Sequence, residues 1–228
     1  MISLTNAAVF PYLKPTSVTI NEGEKVALLG ASGAGKTTLL RLMCTWLSPT
    51  SGEVTAPPVG EFAYIPQDLD GSLNPKLKVR HIITEPVAIA GGDMQVAVAR
   101  IPELLHQLDL PEDAASRFPH QLSGGQRQRV GIARALIANP KVIYADEALS
   151  ALDRTARELV IGLFKAPEIT TVLVSHDLPA AAKLSERCIV MADGGIVEDI
   201  PSSQLWDRTN ASEARRSLID AFELLNPT

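Results

Sequence analysis

The run Gly30-Ala31-Ser32-Gly33-Ala34-Gly35-Lys36-Thr37 has the residue types and spacing of a loop that holds phosphate, GxxxxGK[ST]. Its glycines let backbone N–H groups curl around phosphate oxygens where a side chain would obstruct. Lys36 supplies a point charge for the β- and γ-phosphates, the Thr37 hydroxyl can bind Mg²⁺, and Thr38 is a further phosphate contact. Later in the chain Val142-Ile143-Tyr144-Ala145 ends in Asp146-Glu147. A buried strand that delivers carboxylates at its C-terminal end places them in the crevice where α/β sheets bind ligands. Asp146 would hold Mg²⁺, directly or through water, and Glu147 would polarise an attacking water; phosphoryl transfer needs both. Between the two motifs lies Leu122-Ser123-Gly124-Gly125-Gln126. Ser123 is a good N-cap and two glycines allow close backbone approach, so this is a second anion-binding helix terminus. Taken singly, each motif has a plainer reading: a strand–turn–helix loop that binds nothing, a strand-end acid pair, a glycine-rich cap. Their order within one chain favours nucleotide chemistry.

These residues need elements to carry them. Residues 26–29 form a short apolar run directly before the loop, the mark of a strand buried on both faces. Residues 36–47 follow as a helix, with Leu39, Leu40, Met43 and Leu47 at helical spacing, ended by residues 49–52. Residues 2–9 and 17–20 alternate as half-buried strands do, and residues 62–65 form a strand closed by Pro66. Residues 76–110 read as mostly helical with a break near Gly91-Gly92, 111–121 as a loop, and 125–138 as a helix stopped at Asn139-Pro140. Residues 142–145, 171–174 and 188–191 are strands, and 178–185 is helical. Asp193-Gly194-Gly195 is a hairpin turn into 196–198, and 202–225 holds one or two helices. Strands alternating with helices predict an α/β fold around a largely parallel sheet. The expected organisation is a single domain over residues 1–228, with a helical subdomain inserted at approximately 76–140.

The chain has 228 residues, enough for one domain with such an insertion. Hydrophobic residues make up 46% and aromatics only 4%, so the core must rest on Leu, Ile, Val and Ala. A net charge of -5 argues against a nucleic-acid partner, which usually demands a basic face. Cys44 and Cys188 stand far apart with no CxxC pair, which is the usage of reduced cytosolic thiols and not of a zinc or iron–sulfur site. Residues 1–13 lack a signal-peptide pattern, and no apolar run approaches the ~20 residues that span a bilayer. The expectation is a soluble chain that meets a membrane only by docking onto something that spans it.

A phosphate loop, then Gln67 after a strand, then LSGGQ, the Asp-Glu strand, Ser150-Ala151-Leu152-Asp153 and Val174-Ser175-His176-Asp177: over nearly the whole chain this series resembles the ATPase subunit of an ABC transporter. The resemblance implies a P-loop NTPase of the ABC ATPase type that uses ATP and Mg²⁺. Its fold would be a mixed sheet core with an N-terminal antiparallel β region and an inserted helical subdomain. It implies that Gln67 senses Mg²⁺ and water and links to the membrane subunit, that His176 is the switch histidine reaching the γ-phosphate, and that Asp153 lies at a dimer seam. Two such domains would sandwich ATP, with Ser123, Gly124, Gly125 and Gln126 of one chain completing the site built on Lys36 of the other. The family often has Asp-Glu-Pro-Thr where this chain has Asp-Glu-Ala-Leu, and only a local backbone change is expected. Phe10 and Tyr12 are candidates to stack on adenine, or are ordinary core or surface aromatics. His81, His106 and His120 fit no motif.

Gln67-Asp68, Gly71-Ser72-Leu73-Asn74-Pro75 and Phe118-Pro119-His120-Gln121 are similar to segments in ATPases of the dipeptide, oligopeptide and nickel importer group. That likeness implies membrane permease subunits, a second ATPase subunit of the same or a different sequence, and a solute-binding protein within the complex. The chain would sit peripherally on the cytoplasmic face of the inner (plasma) membrane. Leu69, Leu73 and Leu77 are either permease contacts or core of the helical insertion. The competing reading is a soluble ABC-type ATPase without a transporter. Such relatives usually carry two nucleotide domains or a long coiled-coil insert, and neither is present here.

Overall fold

The computed structural model describes residues 1–150 and 152–226. Its first half runs β1 (Ile2–Val9), β2 (Leu13–Ile20), β3 (Lys25–Leu29), α1 (Lys36–Met43), β4 (Ser51–Thr55), β5 (Phe62–Ile65), α2 (Val79–Ile89) and α3 (Met94–Gln107). Two short 3₁₀ turns, Glu112–Ser116 and Pro119–Gln121, lead into α4 (Gly124–Leu136). Then come β6 (Val142–Asp146), α5 (Arg154–Phe164), β7 (Thr170–Val174), α6 (Leu178–Leu184), β8 (Arg187–Ala192), β9 (Gly195–Pro201) and α7 (Glu213–Leu225).

Two sheets form. The smaller is antiparallel in the order β2-β1-β4; the larger runs β5-β6-β7-β3-β8-β9. All neighbours in the larger sheet are parallel except β8 with β9. Burial explains the order. Every residue of β3, β6 and β7 is buried, so these strands must lie inside the sheet with both faces covered. Alternation then divides the core. Val26 and Leu28 of β3, Val142 and Tyr144 of β6, and Val172 and Val174 of β7 join the side facing α1 and the small sheet. Ile143, Ala145 and Leu173 point the other way, into a core with α2, α3, α4 and α5.

α1 is wedged between the two sheets. Leu39, Leu40, Leu42 and Met43 are all fully buried, and the Tyr144 hydroxyl donates to the Met43 carbonyl at 3.0 Å where the helix ends. Parallel strands also share one C-terminal edge. β3 ends before the phosphate loop, β5 before Gln67, β6 at Asp146 and β7 before His176, so four motifs far apart in sequence emerge side by side.

Several expectations need correction. The first helix stops at Met43, not Leu47; Thr45 takes a left-handed φ of 57°, which no continuing helix tolerates. β2 begins at Leu13, and β4 and α5 have no counterpart in the sequence reading. Residues 111–121, expected as a loop, carry the two 3₁₀ turns. Of the two readings left open for Leu69, Leu73 and Leu77, the core one holds: Leu69 and Leu73 are buried among the helical residues, with Leu77 packed against them. A side chain at Gly131 would start 2.8 Å from Leu69 Cδ2, which shows how closely Leu69 lies on α4.

Leu40→Ala removes a fully buried side chain from the helix that carries the phosphate loop. We predict a loss of about 2–5 kcal/mol in unfolding free energy. It should appear in urea titration as a lower midpoint with an unchanged slope.

Candidate active site

The phosphate loop turns through conformations that only glycine accepts easily. Gly30 has φ 154° and sits so close to β8 that a Cβ would lie 2.4 Å from the Met191 carbonyl oxygen. Gly35 caps α1 with φ 97°, and a Cβ there would meet the Tyr12 carbonyl at 3.1 Å. The loop is therefore held between β8 and the start of β2. The β8–β9 turn closes over it, with the Gly194 N–H donating to Ala34 O at 3.2 Å and the Lys14 N–H donating to Gly194 O at 2.7 Å.

Lys36 folds back into this loop. Its Nζ donates to the carbonyls of Gly30 at 2.7 Å and Ala31 at 2.9 Å. Burial pushes its pKa below the ordinary lysine value, and the carboxylates of Glu147 and Asp146 oppose that shift. A half-desolvated ammonium with only neutral carbonyls in direct contact is best completed by an anion.

Around it lies a cleft of about 430 Å³ lined by Ser32, Gly33, Gly35, Lys36, Thr37 and Thr38 of the loop and helix start. Gln67 and Glu147 line the opposite side, and Pro11, Tyr12, Asp193 and Gly194 its rim. Of the two candidate aromatics, Tyr12 borders this cleft and Phe10 does not. Gly30 and Ala34 are buried and do not line the cleft.

The two acids have separate surroundings. Asp146 accepts from the Thr37 hydroxyl on Oδ1 at 3.2 Å and from the Tyr64 hydroxyl on Oδ2 at 2.8 Å. Glu147 turns the chain with a positive φ of 53°, its N–H bonded to Val174 O at 2.9 Å. Its Oε2 accepts from Gln67 Nε2 at 2.8 Å, and His176 Nδ1 lies 3.5 Å from the same oxygen. Thr37, Asp146 and Gln67 offer a hydroxyl, a carboxylate and a carboxamide, the oxygen donors that suit a hard cation. Among the described residues no group of three or more His, Cys, Asp or Glu converges. A cation here would be held by one carboxylate, a hydroxyl and the substrate's own oxygens, which fits Mg²⁺ and not a zinc or calcium cage.

Ser123, Gly124, Gly125 and Gln126 do not line this cleft. They open α4 as a reciprocal capping box: Ser123 Oγ accepts from Gln126 N at 3.3 Å, and Gln126 Oε1 accepts from Ser123 N at 3.0 Å. Ser123 and Gly124 are exposed. Asp153 caps α5, accepting from Ala156 N at 2.9 Å, and its Oδ2 is 4.0 Å from where a side chain on Gly125 would begin. Within the Ser150-Ala151-Leu152-Asp153 motif, Ala151 lies outside the described residues. Sequence reading missed Tyr64, Pro11, Asp193 and Gly194. The Asp193-Gly194 turn was visible, but its closure over the loop follows from pairing of distant strands.

The chain matches the ABC transporter family over residues 13–150. It is 42% identical to the nickel import ATP-binding protein NikE of Brucella abortus (strain 2308), across 85% of this chain and 80% of that protein. It is 39% identical to the putative oligopeptide transport ATP-binding protein YkfD of Bacillus subtilis (strain 168), across 91% of this chain and 69% of that one. Among solved structures it superposes on the ATP-binding cassette MJ0796, in a dimeric post-hydrolysis state bound to ADP and Pi, with TM-score 0.77 and 31% identity. That likeness covers 89% of this chain and 99% of the other.

Gly30→Ala forces a Cβ against the Met191 carbonyl. We expect a loss of about 1–3 kcal/mol of stability, read as a lower melting temperature in calorimetry. Affinity for adenine nucleotides should fall with it, because the loop cannot stay seated on β8.

Proposed function

The chain belongs to the ABC transporter family, and on that footing we propose that it is the ATP-binding and ATP-hydrolysing subunit that powers import of a small solute, nickel or a peptide, through a membrane permease. The observation that carries this reading is the gathering of Lys36, Thr37, Gln67 and Glu147 in one cleft while Ser123–Gln126 lie outside it, with Ser123 and Gly124 exposed. Half of a nucleotide site faces the cleft. The other half, a glycine-opened helix terminus, faces outward where a second ATPase chain can use it.

Lys36 and the loop N–H groups receive the β- and γ-phosphates, replacing carbonyl partners with anionic ones. Thr37 and Asp146, with Gln67 nearby, would hold Mg²⁺, whose charge would offset that developing on the phosphate oxygens. Glu147 accepts a hydrogen bond from the attacking water and takes its proton as the water oxygen bonds the γ-phosphorus and the bond from that phosphorus to ADP breaks, leaving ADP and phosphate. Gln67 donates to the Glu147 oxygen and holds it in place, and His176 lies 3.5 Å from the same oxygen. Tyr12, at the rim, is positioned to stack on adenine. Ser123, Gly124, Gly125 and Gln126 close over the γ-phosphate of a partner's ATP, and Asp153 lies at the seam beside them.

Residues 76–140 form the helical subdomain in this reading, and the surface around Gln67 meets the permease. No helix among the described residues is long and apolar enough to cross a membrane. In the proposed complex the chain works from the cytoplasmic face of the inner membrane by docking onto the permease, with the solute-binding protein reaching it only through the complex. The nickel import and oligopeptide transport relatives support the solute class.

Two substitutions test the roles. Glu147→Gln keeps the fold and ATP binding but removes the carboxylate that orients water. Hydrolysis should fall by about 10²–10⁴-fold, while gel filtration with ATP shows an accumulated dimer. Turnover at the wild-type rate would refute the role. Ser123→Arg blocks the outward helix terminus with a bulky cation. Turnover should vanish and no ATP-dependent dimer should form, although the chain still binds nucleotide; a fully active variant would rule out the shared site.

A further inference from the structure

Tyr64 plays no part in the reading above, yet its hydroxyl donates to Asp146 Oδ2 at 2.8 Å. The contact follows from strand geometry. β5 and β6 pair in parallel with Tyr64 opposite Tyr144, and Asp146 is two residues beyond Tyr144 on the same face. Tyr64 is thus the diagonal neighbour of Asp146, at a distance that a long aromatic side chain spans. Trp46, just past α1, packs on the Tyr64 ring with centroids 4.5 Å apart and planes tilted by 47°. The ring is thereby fixed from one side and the hydroxyl is aimed along the strand edge.

We propose that Tyr64 is a positioning residue for the metal carboxylate: by occupying Oδ2 from the outer side, it leaves Oδ1, the oxygen nearest Thr37, as the one presented to Mg²⁺. The proposal rests on the reading of Asp146 as the magnesium carboxylate. A carboxylate free to rotate about its terminal bond would lose affinity by spending time with neither oxygen correctly aimed. Outer partners of this kind commonly set metal affinity. The Trp46–Tyr64–Asp146 series extends that support from the surface to the site.

The test measures metal binding without turnover. Mn²⁺, which takes the same oxygen ligands, is titrated into the chain saturated with a non-hydrolysable ATP analogue, and free Mn²⁺ is counted by electron paramagnetic resonance. Tyr64→Phe keeps the ring and removes only the hydroxyl. The expected result is about a 10-fold loss of Mn²⁺ affinity, the lower end for an outer partner because phosphates share the load. Affinity for the analogue in EDTA should be unchanged. Trp46→Leu, which frees the ring but keeps the hydroxyl, should weaken Mn²⁺ in the same direction by a smaller factor. A Tyr64→Phe chain that binds Mn²⁺ like the parent overturns the proposal. Asp146→Asn separates the two failures: if it also leaves Mn²⁺ affinity intact, the metal assignment itself is wrong; if it weakens Mn²⁺ while Tyr64→Phe does not, only the positioning role falls.

Discussion

A single ammonium group, folded into a loop of carbonyls, makes demands on everything around it. Lys36 contacts Gly30 O and Ala31 O and no acid directly, and burial depresses its pKa. Such a cation is tolerable only where the backbone is bent around it and carboxylates lie within electrostatic reach. The bend needs Gly30 against Met191 and Gly35 at the helix start. The carboxylates need β6 beside β7 and β7 beside β3, so that Asp146 and Glu147 emerge near the loop. Holding α1 still needs its four buried apolar residues clamped between two sheets. An arriving polyphosphate relieves the strained electrostatics, which is why the arrangement reads as a binding site and not as a structural knot.

The groups that face the cleft and those that do not are linked mechanically. Residues following Gln67 lie along one face of α4. Arg127 pairs with Asp70 through two contacts of 2.5 and 2.8 Å, Leu69 sits on Gly131, and Arg134 donates to Ser72 at 2.9 and 2.7 Å. Positions 127, 131 and 134 share a helix face by their spacing. The Arg127–Asp70 pair is partly exposed and is worth at most about 1 kcal/mol alone. The buried Leu69 contact gives the docking its strength. Ser123 caps α4, so the segment after Gln67 packs against the same helix that carries the outward terminus.

Sequence made the chemistry legible and the framing less so. Asp146 and Glu147 are marked by the apolar run before them, and Lys36 by the glycines. β4 escaped notice because Ser51–Thr55 is mostly exposed and has no apolar alternation; it exists as an edge strand because β1 offers it partners. Leu69 and Leu73 stayed open between docking surface and core because a short leucine-rich stretch reads the same way in both places. Only the glycine at 131, which lets Leu69 approach α4, decides between them, and nothing local to Leu69 reveals it. Tyr64 was invisible for a similar reason: its importance depends on strand register, and register is a property of pairs.

The adjacent acids show how one residue of backbone divides two roles. Continuing β6 by one more extended residue would send the Glu147 side chain to the opposite sheet face, away from the loop, since successive strand residues alternate. Instead Glu147 takes φ 53°, a left-handed conformation costing of order 1–3 kcal/mol. That cost is met locally: its N–H bonds to Val174 O, and its carbonyl accepts from the Ser150 hydroxyl at 2.7 Å and the Ser150 N–H at 3.1 Å. The change of hand puts its carboxylate on the cleft side, where Gln67 and His176 meet it. Asp146, still in the strand, stays with Thr37 and Tyr64. Among the described residues, two carboxylates that are neighbours in sequence thus have no hydrogen-bond partner in common, which suits the separate roles proposed for them, one toward a cation and the other toward water.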